Sequence, residues 1–342
     1  MGTFGSDDTI PLGIQLGDRL SLDQTKWAAD YADQNGLESL WIAEGRLTRD
    51  GITLAAILAE RTERIKIGNG VLNNRTRNAG LMAVTFKTLD EIAPGRIFLG
   101  MGAWWEPIAT KLGTPLVKPL KYMREYVDAL RQFFANETVE VDGEFISIHD
   151  ARFDSMYRQN VPVEMPIYIG AVGPKMLELS GEIADGVNLD FLLPTSYMAG
   201  ALERINAGLH KRTDGVDELD VTMLIASSID DDDPRQAIDA CKAFLTLYLA
   251  QQPHIGEHCG ADPELVADIQ KITGWPADPG QIDEAMKLVS DELVHRVTAC
   301  GTTSQVMDAY EAYRAAGVRV PVISPLGNKE LTIQQLVKAS KA

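Results

Sequence analysis

Short apolar runs alternate along this chain with longer segments whose apolar positions recur at helical spacing. Residues 10–16, 37–43, 64–72, 96–102, 166–171, 186–192, 219–229 and 318–324 read as strands. Most are apolar on both faces, the pattern of strands buried in a parallel sheet. Between them lie amphipathic stretches such as "SLDQTKWAADYADQNG", where Ser21 is placed to cap a helix and Gly36 to end it. About eight strand–helix repeats in an α/β chain of this length favour a closed (βα)8 TIM barrel over an open doubly wound sheet. The expected organisation is a single domain over 1–342. Two regions break the rhythm, 136–163 and 251–291. The first contains "TVEVDGEFISI", whose Asp142-Gly143 is a hairpin turn signal. Both are expected to be insertions over the C-terminal mouth of the barrel.

Composition narrows the class. Hydrophobic residues make up 45% of the chain, enough for a large core. The apolar runs are shorter than the ~20 residues that span a bilayer. Lys and Arg number 32 against 49 Asp and Glu, a net charge of −17 that argues against nucleic acid and anionic membranes as partners. Cys241, Cys259 and Cys300 lie far apart without metal-ligand spacing, and no secretory pattern opens the chain. A cytoplasmic protein is expected. The histidines do not cluster, and no nucleophile elbow or Walker-type loop is present, so no metal is expected and an organic cofactor is the natural source of chemistry.

In a barrel the ligand sits at the C-terminal ends of the strands. "IYIGAVGPKMLELSGEIADG" ends a strand at Gly170, turns through Gly173-Pro174 and opens a helix, with Lys175 adding positive charge. This is either an anion site built on helix amides or an ordinary strand-to-helix turn. Gly70, before Val71, marks either a close backbone approach or a twist, and Arg75 and Arg77 beyond it meet either an anion or water. Glu44 follows the second strand, and Arg46 or Arg49 is placed to hold it ionised. In "RIFLGMGAWWEPI", Gly100 and Gly102 lead to Trp104, Trp105 and Glu106, a glycine-rich strand end followed by a pocket wall. Glu44, Glu106 and Gln15 are the candidate catalytic residues, each with a plainer alternative as a loop or backbone contact.

The stretches "LWIAEG", "RIKIGNGVLNNRTRN", "TLDEIAPGRIFLGMG", "LGTPLVKPL", "PIYIGAVGPKMLELSGEIADG" and "GTTSQVMDAYEAYRAAGV" occur in order over nearly the whole chain. In them the chain resembles the luciferase-like superfamily, and within it the coenzyme F420-dependent branch that includes the methylenetetrahydromethanopterin reductases. The resemblance implies a (βα)8 barrel carrying a deazaflavin at its strand ends. It implies a bulge with a non-prolyl cis peptide at Gly70-Val71 behind the ring, and a ring and side-chain lining from Gly102, Ala103 and Trp104. Gly170, Ala171, Val172, Gly173, Pro174 and Lys175 would hold the coenzyme phosphate, and Asn188 would join the cofactor set. Two departures stand out. Where several members carry Asp-His, this chain has Glu44-Gly45, and where the pterin reductases carry a glutamate it has Gln15. The implied activity is hydride transfer between F420 and a small imine, carbonyl, alkene or alcohol. A flavin mononucleotide (FMN) monooxygenase and a non-catalytic deazaflavin-binding protein are the alternatives. A homodimer or higher homo-oligomer is also implied.

Overall fold

The structure is a computed structural model, and it describes residues 10–157, 159–274 and 276–341. Its strands are β1 (Gly13–Leu16), β2 (Ser39–Ile42), β3 (Lys66–Asn69), β4 (Leu72–Asn73), β5 (Ile97–Gly102), β6 (Val139–Asp142), β7 (Ser147–Ala151), β8 (Ile167–Gly170), β9 (Gly186–Leu189), β10 (Asp220–Ile229), β11 (Ala299–Gly301) and β12 (Val320–Pro325). Round the main sheet the order is β1, β2, β3, β5, β8, β9, β10, β12 and back to β1. Those eight strands, with helices between them, make the (βα)8 barrel that the apolar runs predict. β11 pairs in parallel with the end of β10 and was not expected.

The chain divides into two compact units, one of Gln15–Leu189 with Gly200–Val221 and one of the remaining residues. In the first, β2, β3, β5, β8 and β9 run parallel side by side, with β4 extending against the end of β5. Its interior is filled by three aromatic side chains, Trp41, Phe98 and Tyr168, with ring centroids 4.5 to 5.2 Å apart. Glycines make the room. A Cβ on Gly68 would fall 2.2 Å from the Phe98 ring, and one on Gly186 2.2 Å from the Tyr168 ring. Large side chains thus interdigitate with absent ones on neighbouring strands, as dense packing requires.

The helices of this unit begin where side chains can satisfy their first amides. Ser21 caps Leu22–Gln34 in a capping box with Gln24, and Gly36 follows its end at φ +76°. Asp50 caps Gly51–Arg61, and Asn78 caps Ala79–Ile92. The Asp142-Gly143 signal does form a hairpin, β6 with β7. It lies along the Pro119–Phe134 helix, whose Glu125 carboxylate accepts the amides of Glu144, Phe145 and Ile146.

In the second unit β12 lies between β10 and the first residues of β1. Its stretch 251–291 is a set of short helices, of which Pro263–Ile272 and Pro279–Ala285 each start on proline behind an Asp cap.

Candidate active site

The parallel strands of the first unit end together, so the segments that follow β2, β3, β5, β8 and β9 share one end of the sheet. The Gly70-Val71 peptide between β3 and β4 is cis. Its surroundings hold it on both sides. The Gly70 amide donates to the Ile42 carbonyl at 3.0 Å, and the Gly70 carbonyl accepts from Gln15 Nε2 at 3.4 Å. Arg19 donates to Gln15 Oε1 at 2.7 Å, which fixes which way the buried amide points. Gln15 therefore braces backbone at the first strand's end.

Val71 sits in a nest of glycines. A Cβ on Gly102 would lie 3.0 Å from Val71 Cγ2, and one on Gly170 would lie 3.1 Å from Val71 Cγ1. A Cβ on Gly70 would meet Trp41 Cε3 at 3.0 Å. At these three positions the missing side chain makes room for protein. At Gly173 nothing lies within 4 Å of the Cβ position, so the space there is open.

Beyond Gly173 the Pro174–Ile183 helix starts with no side-chain cap. Lys175, in its first turn, is exposed. Pro174 has no N–H and the Met176 and Leu177 amides donate to the Gly173 carbonyl, so what favours an anion here is the positive end of the helix with the Lys175 ammonium beside it. The Ala171 amide is not available to a ligand, because it donates to the Asn188 carbonyl at 3.2 Å. Asn188 itself is 2% exposed, and its Nδ2 has no hydrogen-bond partner among the described residues. That nitrogen lies 3.4 Å from the Cβ position of Gly70. Leaving a buried donor unpaired costs about 1–3 kcal/mol unless a ligand completes it.

The carboxylates expected to move protons are engaged elsewhere. Arg77, rather than Arg46 or Arg49, pairs with Glu44 through both nitrogens, at 2.7 and 2.9 Å. Glu44 Oε2 also accepts the Gly51 amide at 2.9 Å, at the start of the Gly51–Arg61 helix. Arg77 reaches on to Asp50. Burial works against ionisation of Asp50, but the Thr53 amide and Arg77 outweigh it and hold the carboxyl below its ordinary range. Hydrogen bonding to Glu44 raises the Arg77 guanidinium further, so the cation is permanent. Arg46 instead lies over the Trp105 ring at 5.6 Å, and Arg49 donates to the Leu20 carbonyl. Arg75 stacks on Tyr122, 3.7 Å from the ring centroid. Glu106 is exposed and turns back on its own loop, accepting the amides of Thr110 and Leu116. Desolvation opposes its ionisation, but those amides win and hold its pKa down. It organises the loop after β5.

Ala103, Trp104 and Trp105 are all half-buried. Trp104 has φ +73°, a left-handed conformation uncommon for a bulky residue, and its indole Nε1 is buried with no partner among the described residues. Sequence reasoning missed Arg19, Asp50 and the pairing of Arg77. Only Asp50 had a local signal, an acidic residue immediately before "GITLAAIL".

An open glycine turn and an uncapped helix stand at one place, and buried donors without a partner among the described residues stand on Asn188 and Trp104. The family model for luciferase-like monooxygenases matches residues 6–320. A 5,10-methylenetetrahydromethanopterin reductase of Methanolobus tindarius is 33% identical over 91% of this chain and 93% of its own length. The enzyme of that name from Archaeoglobus fulgidus is 30% identical over 96% and 98%. An F420-dependent glucose-6-phosphate dehydrogenase of Kineococcus radiotolerans is 29% identical over 82% and 89%. Among solved structures, the coenzyme F420-dependent tetrahydromethanopterin reductase of Methanopyrus kandleri superposes with a TM-score of 0.84 at 27% identity, covering 96% of this chain and 98% of that one.

Proposed function

Since the chain belongs to the luciferase-like monooxygenase family, we propose that it is a coenzyme F420-dependent oxidoreductase. It would transfer a hydride between the deazaflavin and a small organic substrate. The observation that carries this reading is the similarity, over most of the chain, to an F420-dependent glucose-6-phosphate dehydrogenase and to the coenzyme F420-dependent reductase of Methanopyrus kandleri. The deazaflavin, when bound, supplies a two-electron hydride carrier; the protein's part is binding, orientation and exclusion of water.

Gly170–Lys175 would receive the phosphate, with the open space at Gly173 and the uncapped Pro174–Ile183 helix as the supporting features. Val71, Gly70 and Asn188 would stand behind and beside the ring, with Gly102, Ala103 and Trp104 along its far reach. Glu44 serves as a positioning residue, because its carboxylate already holds Arg77 and a helix amide. Gln15 braces the Gly70 carbonyl and carries no acidic proton, so a pterin substrate that requires an acid at that place is disfavoured.

Working as a single-domain homodimer or higher homo-oligomer in the cytoplasm belongs to the same reading. Exposed apolar side chains on adjacent helices, Ile57, Leu81, Val84 and Ile92, support self-association, which sedimentation of the purified protein would measure.

Anaerobic titration with F420 and, separately, with FMN tests the assignment. Saturable F420 binding with weak FMN binding is expected. Preference for FMN would move the protein to the oxygen-using side of the family. Binding of F420 with no turnover across imines, carbonyls, alkenes and alcohols would make it a coenzyme-binding protein.

A further inference from the structure

Two of the three cysteines, remote from each other in sequence, meet in the fold. Cys241 lies on the buried face of the Pro234–Gln251 helix and Cys300 in the middle of β11, and the helix packs on that strand. Cys241 is fully buried and Cys300 is 3% exposed; both are free thiols. The Cys241 thiol donates a hydrogen bond to Cys300 Sγ. Thr298 Oγ1 donates to the same sulfur at 3.5 Å, and His295 Nδ1 comes within 3.7 Å of it. His295 is exposed, so a single side chain separates this sulfur from solvent.

The two sulfurs are not equivalent. The hydrogen bond from Cys241, with that from Thr298, holds the Cys300 thiol below its ordinary pKa in spite of burial; Arg235 assists and Asp291 opposes. Burial and the donor role push Cys241 up, so it keeps its proton. Cys259 supplies the contrast. It is fully buried, and it donates to the Gly256 carbonyl at 3.4 Å, a bond that needs the proton. Burial raises its pKa. The thiolate is the nucleophile, so Cys300 is the one cysteine of the three that the fold activates. A second thiol in contact is what a sulfenic acid needs in order to condense to a disulfide. Among the described residues no three His, Cys, Asp or Glu side chains gather as a metal site, so the pair is not part of one there.

We propose that Cys300 and Cys241 form a site of reversible oxidation, at which a hydroperoxide converts the thiol pair to a disulfide joining β11 to the Pro234–Gln251 helix. Hydrogen peroxide is small enough to enter beside His295. The Cys300 thiolate attacks one peroxide oxygen; an S–O bond forms, the O–O bond breaks and hydroxide leaves. The Cys241 sulfur then attacks the sulfenic sulfur; the S–S bond forms, the S–O bond breaks, and water leaves with the Cys241 proton. In sum, two thiols and one hydrogen peroxide give one disulfide and two waters, the sulfurs losing the two electrons that the peroxide oxygens gain. A thiol reductant reverses the step. The site depends on no part of the coenzyme reading.

To test it, the folded full chain is treated with hydrogen peroxide, then unfolded in the presence of N-ethylmaleimide, digested and mapped by mass spectrometry. Untreated protein should carry maleimide on all three cysteines. Treated protein should lose it from Cys241 and Cys300 and keep it on Cys259. It should also yield a peptide joining 241 to 300 that dithiothreitol splits. In Cys241→Ser, which keeps a hydroxyl donor, peroxide should leave Cys300 as a sulfenic acid that dimedone labels. Cys300→Ser should leave Cys241 reduced at the same dose. The wild-type map is decisive even if a variant does not fold. Absence of the joined peptide, or loss of maleimide from Cys259 as fast as from Cys300, would overturn the inference. So would a joined peptide found only in a covalently linked dimer, or a folded Cys241→Ser that takes no dimedone at Cys300.

Discussion

With one edge of Arg77 bidentate on Glu44 and the other reaching Asp50, the residue that follows β2 has little freedom to trade protons. Both partners are mostly buried, with side-chain exposures of 17% for Arg77 and 12% for Glu44. Glu44→Gln should therefore act first on stability, lowering it by about 1–3 kcal/mol in urea unfolding. The pH profile of turnover should keep its shape; loss of a limb would restore Glu44 as a proton partner. Lys175 presents the opposite case. It is exposed, so Lys175→Ala should leave unfolding unchanged and raise the dissociation constant for F420 roughly three- to tenfold, more at low salt. At this scale the sequence showed where the site residues stand and not what they touch. Strand-end positions such as Gln15, Glu44 and Gly70 follow from the apolar runs. Their partners do not, because Gln15 meets Gly70 across 55 positions and Glu44 meets Arg77 across 33. Periodicity carries no information over that distance.

Elements were easier to read. Seven of the eight barrel strands fall inside an apolar run and β12 passes the end of its run by one residue, since burial on both faces leaves a compositional mark that needs no partner to be seen. β11 escaped because three residues are too few to show a pattern. The run at 64–72 reads as one strand but is broken into β3 and β4 at Gly70-Val71. The glycines of β5 are decided by neighbouring strands. Gly100→Ala would put a Cβ 1.7 Å from the Asn69 carbonyl oxygen, a backbone clash expected to prevent the barrel from forming. Gly102→Ala meets only a methyl of Val71, so it should cost about 1–3 kcal/mol. Val71→Ala in the same chain should recover most of that. Additive losses in the double variant, measured by urea unfolding, would show that the two sites do not share space.

For the whole molecule, a net charge of −17 makes the response to acid a sensitive readout. Asp214 is held at about 2, from an ordinary 3.8, by hydrogen bonds to Arg212, and Asp291 likewise by Arg235 and Lys242. Folding lowers both values, so the ionised forms favour the folded chain. Their contribution is complete above about pH 4 and drains away as pH falls toward 2. The urea midpoint should decline through that window, and Asp214→Asn should make the decline shallower. An identical slope in wild type and variant would remove the Arg212 pair from the acid response.

The nest around Val71 also constrains how this protein could change over generations. Residues 71, 102 and 170 divide one small volume among three separate strand ends. A lineage that enlarged position 102 or 170 first would pass through a damaged intermediate, whereas one that first trimmed Val71 would not. The order of substitutions is therefore biased, and descendants with a side chain at 102 or 170 should carry something smaller than valine at 71.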